Sequence, residues 1–177
     1  MKGALFCAVA LMLVLVASAG AYADWGMTPL YNADHSQSVE LTPSYSLSGS
    51  TYTYMYSLKN TTSSKTIQEF ILTLPGAVSV SGFANIAGPT GWSALVRPTF
   101  NQLDWFKDTG SSLLPGQTFT FSFTSSYGPS STAVAGAACQ DAIGLSGQTF
   151  SPIPEPASLI AMMTGLVGLV GLKMRRK

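Results

Sequence analysis

Polar and apolar residues alternate in short runs along most of this chain, and a period of two marks a strand with one buried face. The clearest runs are Tyr52, Tyr54, Tyr56 and Leu58, spaced by Thr53, Met55 and Ser57, and Phe119, Phe121 and Phe123, spaced by Thr120 and Ser122. They predict half-buried strands over Thr51–Leu58 and Thr118–Thr124. Ile67–Leu74 predicts another, with Phe70, Leu72 and Leu74 on one face and Ile71 on the other. Shorter strands are expected at Val39–Leu41, stopped by Pro43, around Val78 and Val80, at Trp92–Val96 and at Asn101–Phe106. Turn residues separate these runs: Asn60–Ser64, Pro75-Gly76, Gly88 to Gly91, Asp108–Ser112 and Pro115-Gly116. Asp24–Ser38 shows no period and reads as irregular.

Several short strands at close spacing predict an all-β fold. The expected form is an antiparallel β-sandwich, immunoglobulin-like or of related topology; a flattened barrel gives the same periodicity. Strong helix formers are sparse throughout the body, which agrees with strands. From Gly128 to Ile153 the chain turns to Ser, Ala, Gly and Thr. That stretch reads as a last strand or as a flexible linker.

The two ends follow different rules. Met1 and Lys2 precede an apolar run, and Ala21, Tyr22 and Ala23 make a small-x-small site before Asp24. This is the pattern of a signal peptide over residues 1–23, removed by signal peptidase after passage through the general secretion translocon. At the other end, Pro154, Glu155 and Pro156 precede an uncharged run from Ala157 to Leu172, then Lys173, Met174, Arg175, Arg176 and Lys177. Two prolines hold the first part extended. The apolar run predicts a transmembrane helix, and the basic end predicts a stop on the cytoplasmic side. Sixteen helical residues reach about 24 Å of a hydrocarbon core of about 30 Å, which is short for a lasting anchor.

The order Pro154-Glu155-Pro156, apolar run, basic end resembles the PEP-CTERM sorting signal of bacterial exported proteins. That resemblance implies processing near Pro-Glu-Pro by an exosortase, a membrane-embedded cysteine protease or transpeptidase. The implied route is an inner-membrane intermediate with the domain outside, followed by the cell surface or extracellular matrix. The expected domains are thus 1–23 signal peptide, 24–127 sandwich core, 128–153 last strand or linker, and 154–177 sorting tail. A permanently anchored single-pass protein is the competing reading of the same tail.

Charge and chemistry add little to the body. The formal net charge of +1 comes from the ends. Between Asp24 and Pro154, Lys59, Lys65, Arg97 and Lys107 face seven carboxylates, a net of −3 that offers no grip on nucleic acid. No nucleophile elbow, phosphate loop or zinc-protease motif is present, so no catalytic residues and no cofactor are implied. His35 is the only histidine and reads as a loop residue. Cys139 is the only cysteine outside the signal segment and reads as buried. Asp104 and Asp108 lie four apart, a spacing open to calcium or paired-carboxylate chemistry and more simply read as a charged strand end. Trp92, Trp105 and the tyrosine row are candidate sugar contacts, with core packing as the plainer reading. Asn60, Thr61 and Thr62 match an N-glycosylation pattern. The resulting expectation is a non-enzymatic surface or matrix protein linked to exopolysaccharide or biofilm. A carbohydrate-binding module is the second reading and an unrecognised hydrolase the third.

Overall fold

The computed structural model describes residues 23–24, 26–76 and 79–153. The expected signal peptide before Ala23 and the tail from Pro154 lie outside the described residues. Among the described residues no helix is long and apolar enough to cross a membrane.

Among the described residues, eleven strands form one antiparallel sheet folded onto itself. They are β1 (Ala23–Asp24), β2 (Thr28–Tyr31), β3 (Ser38–Ser48), β4 (Thr51–Lys59), β5 (Ile67–Thr73), β6 (Ala84–Ala87), β7 (Trp92–Arg97), β8 (Gln102–Lys107), β9 (Thr118–Ser125), β10 (Gly128–Cys139) and β11 (Gly144–Ile153). One layer runs β6-β9-β4-β3, with β1 paired to β3; the other runs β11-β10-β5-β8-β7. β2 joins the layers, paired along its length to β3 and through Tyr31 to Ser146 of β11.

The tyrosine and phenylalanine rows are neighbours. Tyr54 pairs with Phe123 and Tyr56 with Phe121 across β4 and β9, so both apolar faces turn the same way. Opposite them stand Phe70, Leu72, Leu103 and Trp105, all fully buried. Phe70 and Phe121 meet across the layers at 4.9 Å between ring centroids. On β10 the inward positions are Ala133, Ala135 and Ala137, all buried. Small side chains there let the facing layer close in, and the Tyr56 hydroxyl donates to the Phe150 carbonyl on β11 at 2.9 Å. The core is thus aromatic on one sheet and part aromatic, part alanine on the other.

Four local expectations change. β3 does not stop at Pro43 but runs on through Ser48, with Pro43 opposite Tyr56. The tight Gly49-Ser50 turn makes Ser48 and Thr51 a hydrogen-bonded pair, and alternation from there leaves Pro43 and Tyr56 a non-bonded one. The Pro43 nitrogen therefore faces the other neighbour. There β1 covers Tyr45 and Ser44, and β2 takes over at Leu41. Proline sits where the partner ladder is broken and costs no bond. β2 was hidden because only Leu30 of its residues is buried. Val80 opens a single 3-10 turn rather than a strand, with its side chain buried; Val78 lies outside the described residues. Finally, Gly128 to Ile153 is a long hairpin, its ladder closing with Ile153 opposite Gly128.

The Asn60–Ser64 turn is tied by a buried side chain. Asn60 Nδ2 donates to the carbonyls of Lys65 and Leu113, at 2.8 and 2.9 Å. Its Oδ1 accepts from the Thr62 N–H and hydroxyl, at 3.1 and 2.7 Å. Fully buried, this amide offers no nitrogen to a glycosyltransferase in the folded domain, so the sequence pattern there marks a loop lock. Removing it strips the Thr62 N–H of its partner and leaves the Lys65 and Leu113 carbonyls and the Thr62 hydroxyl with one bond fewer each; a buried group left unpaired costs about 1–3 kcal/mol and each further lost bond adds to it. Asn60→Ala is expected to lower stability by roughly 3 kcal/mol, read as the urea midpoint at unchanged m-value.

Candidate functional site

Two regions could carry function: the root of the C-terminal tail and the outer face of the β5-β8-β7 sheet. At the tail root, β11 stays in the ladder through Ile153. Gly128 lies under the Tyr52 ring, close enough that a Cβ there would sit 3.4 Å from its hydroxyl. The Tyr54 hydroxyl donates to the Tyr127 carbonyl at 2.7 Å. These contacts fix the chain exit beside the Gly49-Ser50 turn. β1 arrives at the same end, with Ala23 opposite Tyr45 and Asp24 opposite Ser44. The expected cleavage point of the signal peptide and the start of the tail thus lie at one end of the sandwich; Ala21 lies outside the described residues.

Tyr45, Tyr52 and Tyr54 form a ring cluster there, with centroids 6.0–6.2 Å apart. Burial pushes the Tyr54 hydroxyl well above the usual tyrosine range, with Tyr52 and Tyr45 adding to it. Its hydroxyl therefore stays protonated as the donor to Tyr127. Tyr45 is not among the residues that the sequence pattern marks, because Pro43 predicts a stop before it. Continuing the alternation Val39, Leu41, Pro43, Tyr45 would have found it.

On the outer face, Asp104 points away from Leu103 and Trp105 by strand alternation. It is 2% exposed. The Arg97 Nε–H donates to Asp104 Oδ2, while Oδ1 is buried with no hydrogen-bond partner among the described residues. Glu69 on β5 lies diagonally across, since Ile71 is opposite Asp104 and Glu69 opposite Phe106. Burial, then the Asp104 charge, raises the Glu69 carboxyl, and Arg97 partly opposes this. The folded state therefore holds that proton more tightly than the unfolded chain. Stability contributed by the protonated form is lost as pH rises from about 4.3, the ordinary glutamate value, through the raised folded value. Glu69→Gln is expected to flatten that slope and raise the thermal midpoint at pH 7; a midpoint no higher than that of the parent would refute the assignment.

The structure does not bring Asp104 and Asp108 together. Asp104 lies within β8 and Asp108 just past its end, about 13 Å along an extended strand. Asp108 instead accepts from the Ser93 hydroxyl at 3.2 Å. The turn that carries it is locked by Gly91, whose carbonyl accepts from the N–H groups of Asp108, Thr109 and Gly110. Gly91 has φ +78°, and a Cβ there would lie 2.3 Å from Gly110, so only glycine fits.

The candidate sugar contacts separate as well. Trp105 is fully buried and stacks on Phe70 at 5.5 Å, its indole N–H donating to Ala87 at 3.1 Å. Neither face of that ring is open to a ligand. Tyr54 and Tyr56 are equally buried. Trp92 is only partly covered: it meets Phe119 and Phe121 edge-on and donates to the Ser111 carbonyl. His35 is exposed and stacks on Tyr31 at 4.6 Å, in a turn where Asp34 accepts from Ser36. Cys139 is 5% exposed. Its thiol is pushed up by burial and by Asp141, against the opposing charge of Lys65. No three metal-ligating side chains cluster among the described residues.

No curated protein sequence matches the chain. Among solved structures, it is similar to an uncharacterized protein from Nocardia farcinica with an immunoglobulin-like fold. That likeness has 16% identity and a TM-score of 0.46, and covers 59% of this chain and 89% of the other. The stretch that opens inside β11 and continues through Pro154, Glu155 and Pro156 to the basic end, residues 152–177, matches the PEP-CTERM protein-sorting motif, and this chain carries that sorting tail directly behind its β domain.

Proposed function

We propose that this is a non-enzymatic exported protein whose β domain is delivered by its tail to the cell surface or extracellular matrix of a polysaccharide-producing bacterium. The sorting motif implies export, a membrane-anchored intermediate and exosortase processing, and it is the observation that carries the reading. The tail's apolar run Ala157 to Leu172 would span the inner membrane, with Lys173, Arg175, Arg176 and Lys177 held on the cytoplasmic side. Pro154 and Pro156 would keep the segment before it extended, the form in which a protease reads backbone.

The delivered domain supports a structural role through what it exposes. Its surface is rich in Ser and Thr and poor in charge, suited to hydrogen bonding with hydrated polymer. Carbohydrate binding at a dedicated aromatic platform has only Trp92 left to support it, since Trp105 belongs to the core. The test is the intact mass of the protein isolated from its own host. A mature chain beginning at Asp24 and lacking the basic end supports the reading. Material that keeps Arg175 and Arg176 after maturation overturns it in favour of a permanent anchor.

A further inference from the structure

The hairpin β10–β11 removes the flexible spacer expected between domain and tail, and this has a geometric consequence. Ile153 is still paired, and only Pro154, Glu155 and Pro156 separate it from the apolar run at Ala157. Four steps of extended chain span at most about 14 Å. The headgroup layer on each side of a bilayer is roughly 5–8 Å deep. With the tail in the membrane, the exit end of the sandwich is therefore held no more than about 6–9 Å beyond the headgroup layer, even with those steps fully stretched.

That end is built for such a place. It carries Tyr45, Tyr52 and Tyr127, all part-exposed, and tyrosine is enriched where an apolar body and a polar tip meet a membrane interface. The segments that form it, 44–54, 122–130 and 150–153, contain no Asp, Glu, Lys or Arg. Asp24, opposite Ser44, is the one charged residue placed there by the described ladder. Charges instead gather at the far end, where Lys59 pairs with Glu40 and Lys65 with Asp141. An uncharged, hydroxyl-bearing surface meets lipid headgroups without desolvating ions.

We propose that the end of the sandwich bearing Tyr45, Tyr52 and Tyr127 rests on the lipid headgroups of the membrane that the tail spans, orienting the domain while Pro154 to Pro156 awaits processing. This rests on the membrane-spanning reading of the tail. It adds a partner surface that the sorting motif does not specify. The domain stands on its tyrosine end with its charged loops outward.

The test uses the full chain in vesicles of phosphatidylethanolamine and phosphatidylglycerol. A photo-crosslinking benzoylphenylalanine is placed at Ser50 or Ser126, both exposed beside the exit, or at Ser63, exposed at the far end. Lipid adducts severalfold more abundant at Ser50 and Ser126 than at Ser63 are the expected result. A chain that resists alkaline extraction yet labels lipid equally at all three sites, or at none, overturns the headgroup contact and leaves the anchor standing. A chain stripped from the vesicles by alkali overturns the spanning tail, and the contact falls with it.

Discussion

Replacing Pro154, Glu155 and Pro156 together by alanine leaves the tail attached in the native host. The mature protein then keeps the mass of its last residues and stays with the membrane fraction. The physical reason lies in the segment's conformation. Two prolines fix φ, lack N–H donors and push the residue before each of them out of the α region, so Pro154 and Glu155 would stay outside the proposed apolar helix, which could begin no earlier than Pro156. Alanine is the best helix former, and three of them in a row would let that helix grow back toward the domain. The backbone a protease must read as an extended strand would be wound up, and the Glu155 carboxylate lost with it. Release of processed protein is expected to fall by at least about tenfold, a modest demand beside the roughly 10⁴-fold or greater discrimination of a site built to bond a polar group that its substrate then lacks. Normal processing of the variant would detach the motif from sorting. The β domain should be untouched by the change, because its ladder ends at Ile153, so an unchanged urea midpoint serves as the internal control.

Trp105→Ala should destabilise the mature domain by about 3–5 kcal/mol, the range for removing a fully buried large aromatic. Against a total of roughly 5–15 kcal/mol for a domain of ordinary size, that is a large share. Three losses combine. The indole leaves a cavity between β8 and the facing layer. Its stacking with Phe70 and tilted contact with Phe121, both at 5.5 Å, disappear. The Ala87 carbonyl loses its donor and loosens the short edge strand β6. Equilibrium unfolding in urea measures the effect as a shift of midpoint at constant m-value. Trp92→Ala, at a half-covered ring, should cost clearly less. A Trp105→Ala protein of parental stability but weakened polysaccharide binding would reverse the assignment and return this ring to a ligand site.

The period-two pattern by itself is enough to place most strands of the sandwich. Tyr52 to Leu58 and Phe119 to Phe123 are buried on the predicted faces because alternate side chains must point to opposite sides of a strand, whatever pairs with it. The sorting tail was legible for a similar reason. Its parts act through local chemistry: proline stiffness, an uncharged run, and basic residues that resist crossing. None of these needs a partner distant in the chain.

Other features depended on pairing, which sequence does not carry. Pro43 looks like a stop until a broken neighbouring ladder is found opposite its nitrogen. Alanine-rich β10 looks like a linker until the facing tyrosine and phenylalanine rows show why small residues fit there. Trp105 and Trp92 look alike as candidate platforms, and only the layer packing buries one and leaves the other part-exposed. Asp104 and Asp108 seem close in number, yet an extended strand holds them apart. Periodicity states which way each side chain points, and the tail states where the chain goes. Which residues meet across the two sheets, and that Ala23 and Ile153 lie at one tyrosine-lined end, were decided by long-range strand register alone, because contacts between segments as far apart in the chain as Tyr31 and Ser146 leave no mark on their own neighbours in sequence.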